Sequence, residues 1–303
     1  MRKFIILLSL VVVGISVVWS QKIEGYTDYF SQSRFTDHAN DFHGKEQGKG
    51  YFIRYGIKYF QPLSIKLNER NQPIVWSMSA GLSMVRSGNS GEISTIVPCD
   101  ILNTSVMVSY IRPIASKWSL AFSLGCGVYS QPRKIRFNSI LASGGGIIIY
   151  DITPSLSVGL GVGLTNSFGV PMVMPTGYLK WAVKKKFELD VDLTSQVKVT
   201  ASSLFAKKFR LAWNIVELDG MAAVIKQDNK DKLYSSMMLN SYFTPSLIIG
   251  GKFSVHANIG INIIRFSSIS ERKIKYMFGG ENLSERRHFS PAFQGGIGLR
   301  YGF

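Results

Sequence analysis

The run Phe187-Glu188-Leu189-Asp190-Val191-Asp192 sets three carboxylates at every second position between apolar side chains. In an extended strand, alternate residues share a face, so Glu188, Asp190 and Asp192 form an acidic row spaced roughly 7 Å apart. Cations hold polar positions in other alternating segments: Arg54, Lys58, Lys180, Arg210, Lys252 and Arg300. Facing a common interior, these charges either build a constriction that selects a solute or pair with one another and close the space. Pairing weighs more, because the acidic row cancels the adjacent basic residues and opposed charges in a confined space gain from pairing. His256 shares a face with Ser254, Asn258 and Asn262, and a His near a Ser can serve nucleophilic hydrolysis. No nucleophile signature surrounds that Ser, so a hydrogen-bonded interior His is the main expectation and a hydrolase centred on His256 the alternative. His38, Asp41 and His43 match no established metal spacing and read as a solvated loop. Gly144, Gly145 and Gly146 lie between apolar strand residues rather than before a helix, which excludes a phosphate loop. Neither a Walker motif nor a zinc-type Cys pair is present, so no cofactor, no metal and no enzymatic step are expected.

The segments that carry these residues alternate with period two, the mark of strands with one apolar and one polar face. In 50–60, Tyr51, Ile53, Tyr55, Ile57 and Tyr59 oppose Arg54, Gly56 and Lys58. The clearest hairpin joins 102–110 to 118–128, where Trp118, Leu120, Phe122, Leu124, Cys126 and Val128 oppose Ser119, Ala121, Ser123, Gly125 and Gly127. In 155–165, Leu156, Val158, Leu160, Val162 and Leu164 oppose Ser157, Gly159, Gly161 and Gly163. Such small inward residues serve either strand curvature or a water path, and curvature is the commoner cause. Tight turns fall near Asn68, Pro113, Asp151, Lys184, Ala206 and Thr244, with Thr244-Pro245 joining 235–243 to 247–264. Longer connections lie at 36–49, 87–99, 219–232 and 267–290, the last being the longest. With a weakly patterned first strand at 22–35, the count is about fourteen, or about twelve if that strand and the Ala206 turn are absent. Short and long connections alternate, which puts the short turns on the periplasmic side of a membrane and the long loops outside.

Met1-Arg2-Lys3, the apolar stretch 4–18 and Val18-Trp19-Ser20 have the form of a secretory signal peptide, with cleavage expected after Ser20. No Cys stands just past the cleavage point, so no lipid anchor is indicated. Residues 21–303 then form one domain, without repeats of solenoid length. Beyond the leader no apolar run is long enough for a membrane helix, and a chain that spans lipid without one must be a closed barrel. The 18 % charged residues, below the globular norm of about 25 %, and the 29 glycines suit such a wall. The net charge is +16, or +14 without Arg2 and Lys3, but the cations are scattered, so nucleic acid is not an expected partner. Basic loops meeting lipopolysaccharide phosphates explain the charge, as does an anion-favouring lumen; the loops are the plainer reading. Cys99 and Cys126 fall in a loop and on an outward face and are not expected to pair.

At the carboxyl end, Ile297, Leu299, Tyr301 and Phe303 alternate with Gly298, Arg300 and Gly302. This ending resembles the closing strand of bacterial outer-membrane β-barrels, in which a terminal aromatic with apolar residues two, four and six positions earlier is the assembly signal. With the leader, the alternating strands and the turn asymmetry, the mature chain resembles the uncharacterised single-barrel families of Gram-negative outer membranes. The resemblance implies an all-β, transmembrane, antiparallel up-and-down barrel in the outer membrane. It also implies contact with outer-membrane lipid and lipopolysaccharide, and recognition of the last strand by the barrel-assembly machinery. It carries no functional residue across and fixes no oligomeric state; the role it leaves open is passive passage of a small solute or a structural one.

Overall fold

A computed structural model describes residues 21–37, 45–165, 172–183, 187–193, 197–206, 208–227, 230–271 and 287–302. The expected leader at 1–20, His38, Asp41, His43, the turn at 184–186 and Phe303 lie outside them. The strands are β1 (Lys22–Asp37), β2 (Lys45–Leu67), β3 (Pro73–Gly91), β4 (Asp100–Pro113), β5 (Trp118–Ser130), β6 (Ile140–Thr153), β7 (Leu156–Thr165) and β8 (Met172–Val183). They continue with β9 (Phe187–Asp192), β10 (Val197–Ala206), β11 (Phe209–Gln227), β12 (Lys230–Ile249), β13 (Phe253–Glu271), β14 (Arg287–Phe289) and β15 (Ala292–Tyr301). From β1 to β13 each strand pairs antiparallel with the next, and β15 pairs with β13 on one side and with β1, from Ile23↔Tyr301 to Phe30↔Gln294, on the other, which closes the sheet. Short β14 also sits between β1 and β13, so β14 and β15 are one stave broken at Ser290 and Pro291. The result is a closed meander of fourteen staves, as the parity of the turns predicts. The twelve-strand alternative fails because β1 is a full stave and Ala206↔Phe209 closes a real hairpin.

Period-two alternation puts the apolar set outside, with Leu124 74 % and Leu160 78 % exposed. Exposed large hydrophobics recur on every side of the barrel, a surface suited to acyl chains rather than water. Paired aromatics ring the short-turn end: Trp76 against Tyr110 at 4.5 Å between centroids, and Trp118 against Tyr150 at 4.6 Å. Tyr29 and Tyr51 meet at 6.4 Å toward the other end, so both membrane interfaces have amphipathic rings to anchor them. On the inner face of β5–β7 the glycines permit close strand approach, since a Cβ at Gly161 would run into the Gly146 carbonyl. Curvature therefore accounts for them, and the room they leave also widens the lumen beside them. Cys99 and Cys126 are both free.

Three expectations about connections are corrected. Thr244 and Pro245 lie inside β12, and the turn into β13 falls at Gly250 and Gly251, whose φ of +62° and +79° suit glycine. Pro245 is tolerated because the Thr244–Pro245 step makes no ladder pairing with β13, where its missing N–H costs nothing. Residues 219–232 are not a charged loop. Those described, 219–227 and 230–232, are the upper half of a long hairpin, with β11 and β12 paired from Phe209↔Leu247 to Gln227↔Lys230. The apolar run Met221-Ala222-Ala223-Val224 at its centre is buried throughout, which outweighs the flanking charges. The connection expected at 267–290 is shorter at both ends, because β13 runs on to Glu271 and strand resumes at Arg287.

Candidate functional site

The barrel encloses three layers, each set by the height at which its strands deliver their inward residues. Nearest the short turns is a chamber of about 1000 Å³ that reaches the rim at Lys22 and Gly302. One wall is neutral, with Ser79, Ser105, Ser109, Ser123 and Ser143 beside glycines of β6 and β7. Lys22, Glu24, Lys58, Arg210 and Arg300 supply its charge from the other side.

Above it a cavity of about 460 Å³ is crossed by a polar belt. Asn258 Nδ2 donates to Asp28 Oδ1 at 3.1 Å, Thr244 Oγ1 donates to Asn258 Oδ1 at 3.0 Å, and Asn214 Nδ2 donates to Thr244 Oγ1 at 3.0 Å. Thr200 Oγ1 then donates to Asn214 Oδ1 at 3.0 Å, so the chain of bonds runs across β1, β13, β12, β11 and β10. Arg54, from β2, donates to Asp28 at 3.2 Å and reaches over the lumen to Asp219 on β11. Lys198 pairs with Glu217 at 3.0 Å, and the Tyr242 hydroxyl donates to the same carboxylate. Most polar groups in this layer satisfy one another, as a low-dielectric interior demands.

The third layer, toward the long loops, is apolar. Phe30, Phe52, Val85, Ile93, Ile101, Met221, Ala223, Tyr234, Met238 and Phe289 form one buried cluster. Phe30 and Phe52 stack at 4.1 Å, and the Arg265 guanidinium lies over the rings of Phe52 at 4.8 Å and Phe289 at 3.4 Å. The upper β11–β12 hairpin completes it. Asn103 on β4 receives the Ala222 N–H at 3.3 Å and donates to the Ala222 carbonyl at 2.6 Å. Seven steps of the strand order separate β4 from β11 in either direction, so the hairpin must fold across the mouth to make this contact. Val224 also bridges to Ser130 in parallel, and Asp231 is held by Asn138 at 2.7 Å and Arg136 at 3.5 Å. A register shift between Asn214 and Glu217 bends β11 just below the fold. Residues 221–224 and 233–236 are each buried at four successive positions, so both faces are covered and the strands have left the wall.

The expected site residues divide among these layers. Lys180 and Arg210 both bond Glu188, at 3.1 and 3.0 Å, and Arg210 also reaches Ser202 at 2.7 Å. Arg300 binds Glu24 at 2.8 Å, and His256 Nε2 lies 3.5 Å from the same carboxylate. Asp190 and Asp192 stand on β9 opposite Lys180 and Tyr178. Lys58 faces both cavities. Lys252 belongs to the exposed turn after Gly251 rather than to the lumen wall, a consequence of the turn's true position. Ile297, Leu299 and Tyr301 are exposed on the outer face of β15. Asp28, Asp219, Glu217, Lys198 and Thr200 escaped the sequence reading. The alternation of Lys198, Thr200 and Ser202 with Val197, Val199 and Ala201 is a signal that could have found three lumen residues of β10.

A closed antiparallel barrel with an apolar exterior, aromatic girdles and a polar lumen is a transmembrane β-barrel of the outer-membrane type. The chain belongs to the family described as domain of unknown function DUF6268, whose model matches residues 17–302. No curated protein matches it in sequence. Among solved structures it is similar to the COG4313 outer membrane channel from Pseudomonas putida F1, at 8 % identity and a TM-score of 0.47, covering 95 % of this chain and 97 % of that one. It is also similar to the toluene transporter TodX of Pseudomonas putida, at 8 % identity and 0.39, with 95 % and 90 % covered. A third is the translocator domain of the autotransporter NalP from Neisseria meningitidis, at 13 % identity and 0.33, with 98 % and 93 % covered. Likeness at this level says nothing of activity, which has to be argued from the lumen.

Proposed function

We propose that the protein resides in the outer membrane as a gated passive channel for a small solute, with no enzymatic step. The observation that carries this reading is the β11–β12 hairpin. It leaves the wall, crosses the mouth and is held on the far side by the Asn103 clasp on Ala222, the Val224–Ser130 bridge and the grip of Asn138 and Arg136 on Asp231. A barrel with a purely structural role has no need of a wide chamber ending at such a closure. A water-filled chamber beneath a hinged apolar cover suits a pore held shut. Export follows from the leader at 1–20, cleaved after Ser20, and insertion from recognition of the last strand by the assembly machinery. Between β5 and β6, Arg133, Lys134 and Arg136 flank exposed Ile135 and Phe137, a combination suited to lipopolysaccharide phosphates and the acyl chains beneath them.

The test is planar-bilayer recording of the refolded protein beside a variant in which residues 222–231 are replaced by Gly-Gly. Expected are rare current steps from the parent chain and sustained steps from the variant. Silence from both, with heat-modifiable gel migration showing both folded, overturns the channel; equal conductance overturns the hairpin as its gate. The hydrolase alternative lacks support in that His256 Nε2 is turned to Glu24. Hydrolysis of lipid or peptide that disappears in His256→Ala is what would revive it.

A further inference from the structure

We infer that the chamber below the polar belt binds a small hydroxylated anion, a sugar acid or a sugar phosphate, with Lys58 as its anchor. This deepens the channel reading by naming the solute class and rests on the same lumen. Lys58 stands where the two cavities meet and lines both. Among the described residues no carboxylate forms an ion pair with its ammonium, which lies over the Tyr26 ring at 5.2 Å. Of the other cations, Lys22 stands at the rim and Arg265 lies over rings in the apolar layer, while the rest are committed: Arg54 to Asp28, Lys198 to Glu217, Lys180 and Arg210 to Glu188, and Arg300 to Glu24. Glu24 faces Lys58 across the β1–β2 ladder, but that carboxylate is already bonded by Arg300 and approached by His256, so the Lys58 ammonium keeps charge to offer an anion.

A second observation stands apart from charge. His256 is buried on the upper cavity that Lys58 also lines, and its Nδ1 has no hydrogen-bond partner among the described residues. Gly298 makes room for that ring, since a Cβ there would strike the imidazole. The facing wall offers Ser79, Ser105, Ser123 and Ser143, hydroxyls that can both donate and accept, and no charge. One end of the ligand is therefore met by a cation and the remainder by hydroxyls, which is the pattern of an anionic polyol. The chamber, at about 1000 Å³, accepts one or two sugar units with their water.

Calorimetric titration of the refolded barrel in neutral detergent tests the site without requiring conduction. The probes are gluconate, glucose 6-phosphate and glucose, against the parent chain, Lys58→Gln and Lys58→Arg. Expected is binding of at least one anion, none of glucose, a loss of roughly tenfold or more in Lys58→Gln, and retention in Lys58→Arg. Gluconate bound in preference to the phosphate assigns carboxylates as the substrate group, and the reverse assigns phosphates. Glucose binding as tightly as the anions, unchanged affinity in Lys58→Gln, or binding of none of the three overturns the inference. Because heat-modifiable migration checks folding and bilayer recording checks conduction on the same preparations, a failed site and a failed channel give different results.

Discussion

Arg54 holds two carboxylates on one guanidinium: Asp28 from the adjacent strand and Asp219 from the hairpin strand across the lumen. All three side chains are largely withdrawn from water, so removing the cation leaves two facing carboxylates without compensation. Arg54→Met should cost roughly 3–5 kcal/mol, the usual penalty for breaking a buried pair from one side. Urea unfolding of the refolded barrel measures it, and Arg54→Met with Asp219→Asn should recover part of the loss. If the double variant is no better than the single, the two groups are not coupled and the strap across the lumen has no energetic content. Arg54 itself was visible in the sequence as a polar-face cation, but its partners were not. Asp28 sits in a first strand whose pattern is weak, and Asp219 looks like the start of a charged loop. Alternation tells which face a side chain takes and is silent on which strand it meets across a closed interior.

At the scale of elements, the wall and the closure were unequally legible, for one physical reason. A stave has lipid on one side and lumen on the other, so every second residue is constrained and the pattern repeats around the barrel. The upper β11–β12 hairpin has protein on both sides and loses that period; what remains is a short apolar run between Asp219 and Lys226 that reads as a mixed segment. Thr244 and Pro245 misled in the opposite direction, since turn-forming residues there serve a gap in pairing and a link in the polar belt. The clasp of Asn103 on Ala222 gives this element its own prediction. Asn103→Ala leaves the buried Ala222 N–H and carbonyl without partners, at a cost of about 1–3 kcal/mol charged to the closed state alone. By that amount, bilayer recordings should show openings of Asn103→Ala more frequent by roughly 5- to 160-fold, with gel migration of the folded barrel unchanged. Openings no more frequent than those of the parent chain would assign the hairpin a fixed plug rather than a gate.

For the whole molecule, the claim with the most consequences is that acyl chains, not water, meet the outer face. Strand β7 makes it concrete: its ten residues rise about 3.3 Å each and, tilted near 45°, cover roughly 23 Å of membrane normal, close to the apolar band of such barrels. Leu160 is at its middle and points outward; Ser123, on β5, looks into the chamber. In a water-soluble barrel, Leu160→Arg would be harmless or would improve solubility, because it puts a charge on an exposed apolar site. In a bilayer the same change places a cation near the midplane and should destabilise by about 2–4 kcal/mol. Ser123→Arg, directed at the aqueous chamber, should cost much less in either setting. Folding free energies of the two variants in lipid vesicles therefore separate the environments: a large penalty at Leu160 with a small one at Ser123 places lipid outside and water inside. Equal penalties, or a neutral Leu160→Arg, would turn the barrel inside out and remove the basis for reading its lumen as a pore.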